Sequence, residues 1–464
     1  MRIAKIINLK QSLKYLYHNF VPETVKVSLS TYLDSLPKHR LRASNAIRTE
    51  NYYQACIKEL KNKKKDGVKN NQYLHEAFKK HLVRSNLVDE QWWVDYIKLL
   101  KLPKGSKFHN SNQSLINRIE NSNFDSLEYF EVLDIYALSL RHCLFELGYH
   151  LRKKSIEIAL GYSTSLKKNE RWKFKAKLSA LLETNNFSKF DKIFPIFEDK
   201  NNQEKYLLGY LRNIFSGKNY PLFLNSVSKI DYKKNQEFRK FVENKKIVIV
   251  GPSPTDNKDG YKIDKADIVI RTNYIKGDPI IKGSRVDISY FNLETTEHII
   301  ENGFSKWPAG ISWIVARTLG QVESIFKRLT VDEIKIEHLN GRSLERVDKA
   351  LFYGSLTAVQ NIVVDLLRYN PKEIFLYHFD IMLSKERING YYPKINNKND
   401  FRLKMIKSFP GHDPVINFQI MKSFWKQDFI KGDQRFEEVM KMDTKDYMKN
   451  MQKVYYLDNS FEIN

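Results

Sequence analysis

Ile247-Val248-Ile249-Val250, followed at once by Gly251-Pro252-Ser253-Pro254, is the segment that most restricts what this chain can become. Four β-branched residues in a row show no alternation of faces. A strand made of them is apolar on both sides and has to be covered on both sides, as in a parallel sheet with helices above and below. The glycine and prolines that follow end the strand. Four more short apolar runs come after it: Ile268-Val269-Ile270, Val286-Asp287-Ile288-Ser289-Tyr290-Phe291, Ile311-Ser312-Trp313-Ile314-Val315-Ala316 and Ile374-Phe375-Leu376-Tyr377. Between the last two, Leu356, Val359, Val363 and Leu366, joined by Ile362 and Leu367, recur at helical spacing from Ser355 to about Tyr369. Asn370-Pro371 stops that helix, because the residue before proline disfavours the helical conformation. Helix feeding strand in this way predicts an α/β, Rossmann-like domain over residues 241–464.

Upstream of residue 240 the pattern is helical. Leu133, Tyr136, Ala137, Leu140, Cys143, Leu144 and Leu147 form one 3–4 repeat; Phe174, Leu178, Leu181 and Leu182 form another; Tyr206, Leu207, Tyr210, Leu211 and Ile214 a third. Pro22, Pro37, Pro103 and Pro195 fall between such stretches. The expectation is a mostly α-helical N-terminal domain over residues 1–240, with no repeat of fixed period that would establish a solenoid. Lysine runs such as Lys63-Lys64-Lys65 read as solvated helix ends and not as a specific nucleic-acid site.

Composition narrows the partners. Hydrophobic residues at 42% and aromatics at 13% exclude a disordered chain. Against 54 acidic side chains stand 78 Lys and Arg, a net charge of +24, which predicts anionic partners: phosphorylated ligands, acidic glycans or an anionic membrane surface. Two distant cysteines, Cys56 and Cys143, make neither a disulfide framework nor a cysteine-rich zinc site, so a reducing cytoplasm is the default. No run reaches the roughly 18–20 apolar residues of a membrane span. Residues Met1 to Lys10 lack the apolar core of a signal peptide. A cytoplasmic protein is expected, with peripheral contact at the inner face of a membrane left open.

Four segments carry candidate chemistry. The turn Gly251-Pro252-Ser253-Pro254-Thr255 stands at the carboxyl end of a parallel strand, where open α/β sheets bind ligands; the plain alternative is an ordinary strand-ending turn. The run Asp267-Ile268-Val269-Ile270-Arg271-Thr272-Asn273 ends in an arginine that offers a fork to an anion and an asparagine that suits a sugar or base edge; the alternative is a surface arginine and a turn asparagine. Tyr391-Tyr392 after Gly390 can offer hydroxyls to a phosphate or simply pack. In Pro410-Gly411-His412-Asp413-Pro414 the histidine suits a general base, while Asp413 before Pro414 reads as a helix cap with proline at the first helical position. Asp-x-Asp, His-Glu-x-x-His and Cys-x-x-Cys are absent, so no metal is expected.

The order and spacing of the four segments are more telling than any one of them. Val250-Gly251-Pro252-Ser253-Pro254, Asp264 and the Arg271-Thr272-Asn273 strand end resemble the large sialyl motif of sialyltransferases. Tyr353-Gly354-Ser355 with its helix, the strand 374–377 and Asp380 resemble the small motif. Tyr391-Tyr392 and Gly411-His412-Asp413 are similar to the third and the very short motifs. Lys282-Gly283-Ser284-Arg285 through Tyr290-Phe291-Asn292 resembles a segment of bacterial lipooligosaccharide sialyltransferases, and the whole likeness covers roughly residues 245–430. Where that family has asparagine after the first glycine, this chain has Pro252.

The resemblance implies a GT-A-variant, sialyltransferase-type fold and an inverting, metal-independent transfer from a CMP-activated acidic sugar to a glycan or glycolipid acceptor, with a protein acceptor as a variant. No further cofactor is implied. It gives His412 the role of base. It puts Gly251, Ser253, Arg271, Asn273, Asn292, Gly354, Ser355, Tyr391 and Tyr392 on the donor, with the two tyrosines on its phosphate and Gly354-Ser355 on its carboxylate. Two other readings stand beside it: a transferase using CMP-Kdo in bacterial surface polysaccharide synthesis, and a non-catalytic helical interaction protein with a degenerate transferase domain.

Overall fold

The five expected strands form, and each runs parallel to its neighbours. A computed structural model describes residue 117 and most of 129–457, leaving out 142, 165–170, 198–202, 217–228, 274–277, 304–309, 335–337, 385–386, 388–401, 403 and 407. The strands are β1 (Lys246–Val250), β2 (Ile268–Thr272), β3 (Ile288–Tyr290), β4 (Trp313–Ala316), β5 (Asn340–Ser343), β6 (Glu373–Tyr377) and β7 (Lys431–Gly432). They make one seven-stranded sheet in the order β5-β4-β3-β2-β1-β6-β7, with every pairing parallel. The two strands not expected from the sequence, β5 and β7, lie at the two edges. Asn-Gly-Arg-Ser and Lys-Gly carry almost no apolar signal, because one flank of each needs no neighbour.

Along β1 the faces alternate although the residue types do not. Ile247 and Ile249 join the largest core; Val248 and Val250 join a smaller one with Ile263 and Val269. Both faces are thus filled, which is why the run is continuously apolar.

The helices that precede the sheet are α1 (Tyr129–Arg141), α2 (Phe145–Gly161), α3 (Arg171–Glu183), α4 (Phe187–Ile193), α5 (Gln203–Phe215) and α6 (Lys229–Val242). The first expected repeat, drawn through Cys143, is broken there: Cys143 takes a φ of 61° and separates α1 from α2. The change of pattern near residue 240 is a change of element type, not a gap in the core. Leu133, Tyr136, Leu151, Leu178, Leu211 and Phe238 belong to the same buried cluster as Ile249, Ile362, Phe409, Phe418 and Tyr455. Phe238 packs edge-on against Trp313 of β4 at 5.0 Å, and the Tyr210 hydroxyl donates to the Val364 carbonyl at 2.8 Å. Residues 1–116 of the expected helical domain lie outside the described residues.

Within the sheet half follow α7 (Gly260–Asp264), α8 (Pro279–Lys282), α9 (Leu293–Asn302), α10 (Leu319–Val331), α11 (Ala358–Leu367), α12 (Pro414–Lys426), α13 (Gln434–Lys441) and α14 (Thr444–Gln452). The helix expected from Ser355 begins at Ala358. Residues 355–357 are drawn out of it by other bonds: Ser355 N–H donates to the Gly411 carbonyl at 2.9 Å and Thr357 N–H to Asn417 Oδ1 at 2.9 Å.

A core shared across residue 240 has a direct consequence. A fragment of residues 241–464 exposes the apolar face that α1–α6 cover, at roughly 25 cal/mol per Å². Followed by near-UV circular dichroism during a urea titration, the fragment should show no cooperative transition, while the full chain shows one.

Candidate functional site

The chain builds β1 to β5 outward in one direction, then crosses back to lay β6 on the other side of β1. The reversal leaves a crevice beyond the carboxyl ends of β1 and β6, where open α/β sheets take their ligands. The two loops that border it are tied together. Gly251 N–H donates to the Tyr377 carbonyl at 2.8 Å, Ser253 N–H to the His378 carbonyl at 3.0 Å, and Ser253 Oγ to Asp380 Oδ1 at 2.9 Å. A Cβ at Gly251 would stand 2.4 Å from the His378 carbonyl oxygen, so only glycine fits. Lys282 closes the turn from the other side, its Nζ donating to the carbonyls of Gly251 and Ser253 at 3.2 and 3.0 Å. Burial and the neighbouring Arg271 charge lower the Lys282 ammonium to about 7. Beyond β6, His378, Ile381 and Met382 all have positive φ (55°, 47° and 69°), a concentration of backbone strain typical of ligand loops.

The second half of the site is the loop before α12. Asp413 caps that helix through Val415 N–H at 3.0 Å, with Pro414 at its first position, as the sequence predicts. Asp413 is fully buried and carries two further bonds, from the Tyr136 hydroxyl at 2.6 Å and from Arg152 Nε at 2.8 Å. The same guanidinium binds Glu183 at 2.6 Å. Gly354, at a φ of +75°, lies so close to Asp413 that a Cβ would stand 2.4 Å from that residue's own Cβ. These contacts set His412 one residue away. Its Nδ1 is 3.0 Å from Ser355 Oγ, and that hydroxyl donates to the Gly411 carbonyl at 2.8 Å. With the serine proton so engaged, its lone pair accepts from Nδ1–H, and Nε2 is left as the unprotonated nitrogen. Desolvation lowers the His412 pKa, aided by the charges of Arg346 and Arg317, which favours the neutral ring.

A cavity of about 310 Å³ lies between these halves. Pro252 and Phe379 line it at the crevice, Asn292 after β3, Thr357 before α11, and His412 before α12. Four cations also line it: Arg317 after β4, Arg346 after β5, Arg387 and Lys404. Among the described lining residues the one carboxylate is Glu294, which is paired with Lys404. The cavity therefore favours an anion.

The expected site residues take up different positions. Asn292 and His412 line the cavity, and Ser355 touches it through His412. Asn273, buried at a φ of 58°, stands behind Asn292: its Oδ1 accepts from Asn292 N–H at 2.9 Å, and its buried Nδ2 has no hydrogen-bond partner among the described residues. Gly251, Ser253 and Gly354 shape the loops, as described above. Arg271 does not offer a free fork. Its Nε and Nη2 donate to the carbonyls of Arg285, Lys282 and Gly283 at 2.9, 2.7 and 2.9 Å, so it holds the loop that places Lys282. Tyr391 and Tyr392 lie outside the described residues. Asp380 and Asp413 are engaged with separate partners, Ser253 and Arg152. Sequence reasoning missed Arg317, Arg346, Arg387 and Lys404. The first two follow strand ends by one and three residues, a position that signals a ligand contact only once β5 is recognised.

The chain matches no family model and no curated protein.

The buried Tyr136–Asp413–Arg152–Glu183 network generates its own test. Arg152→Met leaves two carboxylates buried without their cation, which costs about 3–5 kcal/mol. Urea unfolding of this variant should give an unfolding free energy lower by about that amount, whereas substituting an exposed lysine such as Lys233 should change it little.

Proposed function

We propose that this chain is an inverting glycosyltransferase. It moves an acidic 2-keto sugar, sialic acid or a related nonulosonate, from a CMP donor to a hydroxyl of a glycan or glycolipid. The observation that carries the reading is an imidazole, His412, whose Nδ1 is held by Ser355 and whose ring lines a cation-lined cavity on the carboxyl edge of a parallel sheet. The sheet order, with its crevice at β1 and β6, suits the sialyltransferase-type fold that the motifs imply.

In the step itself the acceptor oxygen bonds to the anomeric carbon as the bond from that carbon to the phosphate oxygen breaks. CMP departs with the bonding electron pair, and the acceptor proton passes to His412 Nε2. The phosphate gains about one negative charge as it leaves. Arg387 and Lys404 supply cations within the cavity, and Tyr391 and Tyr392 are assigned hydroxyl contacts to the same group. A single phosphate with these donors does not require a divalent cation. The N-terminus of α11 and the Ser355 region face the donor carboxylate, and Asn292, braced by Asn273, faces the nucleotide. Kdo carries the same carboxylate and the same leaving group, so donor identity is decided by assay.

The test is transfer from CMP-sialic acid, CMP-Kdo and related CMP-nonulosonates, run in EDTA. Wild-type enzyme is expected to turn over one of them, with kcat/KM level near neutral pH and falling in acid through a pKa below 6.5, as Nε2 becomes protonated. His412→Ala should lose on the order of 100-fold or more in kcat while CMP binding is retained. Equal turnover by the variant, or no turnover of any CMP-sugar by the wild type, contradicts the proposal.

A further inference from the structure

We infer that the Arg317–Arg346 end of the cavity binds an anionic group, a phosphate or a carboxylate, carried by the acceptor. This rests on the transferase reading above and extends it to the substrate class on the receiving side.

The cavity has two ends. One is the crevice between β1 and β6, bordered by Pro252, Phe379 and Arg387, which the transferase reading assigns to the nucleotide. The other lies over β4 and β5. Ala316 and Ser343 are register partners at the ends of these strands, and the Leu344 N–H donates to the Ala316 carbonyl at 2.7 Å. Arg317 and Arg346 therefore leave the sheet side by side, and both line the cavity. His412 lines the same cavity, close enough to both arginines for their charges to act on its ring. A general base has to face the hydroxyl it deprotonates, so cations beside it that rise from β4 and β5, away from the β1/β6 crevice, are placed to meet the acceptor.

The two arginines are not equivalent. Arg346 is gripped by Asp348 in a two-point fork, and Asp348 is itself buried and accepts from Leu356 N–H at 2.9 Å. This fixes the Arg346 guanidinium and offsets its charge. Arg317 is exposed and has no hydrogen bond or ion pair among the described residues. Its neighbour's charge and partial desolvation both work against it, and an arriving anion relieves the first and compensates the second. One braced guanidinium beside one free guanidinium is suited to a planar or tetrahedral oxyanion held at two points.

The experiment uses the full chain, with CMP probing the nucleotide end and glucose 6-phosphate, glucuronate and neutral glucose probing the acceptor end, each followed by isothermal titration calorimetry. Wild type is expected to bind CMP and at least one acidic sugar, and glucose at least tenfold more weakly. Comparing the phosphate and carboxylate arms identifies which anion is preferred. Arg317→Glu should weaken the acidic sugar by about tenfold or more, since a charged hydrogen bond is worth at least that factor, with Arg317→Lys restoring part of it. CMP affinity should change less than about twofold, which also shows that the variant is folded. Loss of CMP binding in Arg317→Glu would assign the pair to the nucleotide and overturn the inference. So would acidic sugars that bind wild type and variant alike, or that bind no better than glucose. Failure of CMP to bind the wild type, with acidic sugar still bound and still dependent on Arg317, would instead overturn the transferase reading and the acceptor role with it.

Discussion

Asp413 is the residue on which the site depends. It is fully buried, it caps α12, and it takes hydrogen bonds from α1 through Tyr136 and from α2 through Arg152. A buried carboxylate is tolerated only when its oxygens are satisfied, so three separate elements must arrive together for this loop to exist. Arg152 passes the constraint on to Glu183 of α3. The helices before the sheet thus reach the loop that presents His412, and their conformational stability is coupled to the geometry of that ring. Asn417 adds a second tie: its side chain bonds the Ser355 and Asp413 carbonyls at 2.9 Å each and accepts from Thr357.

The electrostatics follow from the same architecture. Strand ends on the β3–β4–β5 side contribute Asn292, Arg317 and Arg346, and the helix N-termini of α9 and α11 open toward the same cavity. Partial positive charge from helix dipoles adds to the arginines; Asp348 offsets Arg346, Glu294 pairs with Lys404 and Asp380 lies 3.9 Å from Arg387, while the nearby buried carboxylates have further partners of their own. Asp380 is bonded to Ser253, Asp365 to Arg342 and Tyr290, and Asp413 to Arg152. Two histidines stand near the sheet edge, and their surroundings distinguish them. His378 follows β6 and is buried, with Nε2 donating to the Ile281 carbonyl at 3.2 Å, and burial lowers its pKa to about 4. Only His412 reaches the cavity wall.

Much of this was legible in the sequence where one residue type has one physical use. Unbroken β-branched runs marked buried parallel strands; Asp413-Pro414 marked a capped helix start; Gly251 marked the turn that ends β1. Where a residue type has several uses, local pattern could not choose among them. Arg271 at a strand end reads as an anion fork, yet three carbonyls claim its guanidinium. The helix expected from Ser355 starts at Ala358 because partners more than fifty residues away take the intervening backbone groups. The edge strand β5 and its neighbouring Arg346 were invisible for a related reason: an edge strand needs little apolar content, and without it the arginine has no address. The shared core across residue 240 depends on long-range packing that periodicity does not encode.

The most direct measurement is the tautomer and titration of the His412 ring, followed by long-range nitrogen–proton NMR of the full chain, with His412→Gln identifying the resonance. The geometry around Ser355 and Gly411 predicts a neutral ring protonated at Nδ1, a pKa below 6.5, and a shift of the Nε2 signal when CMP is added. A ring protonated at Nε2, a pKa above 7, or a signal indifferent to CMP would contradict it.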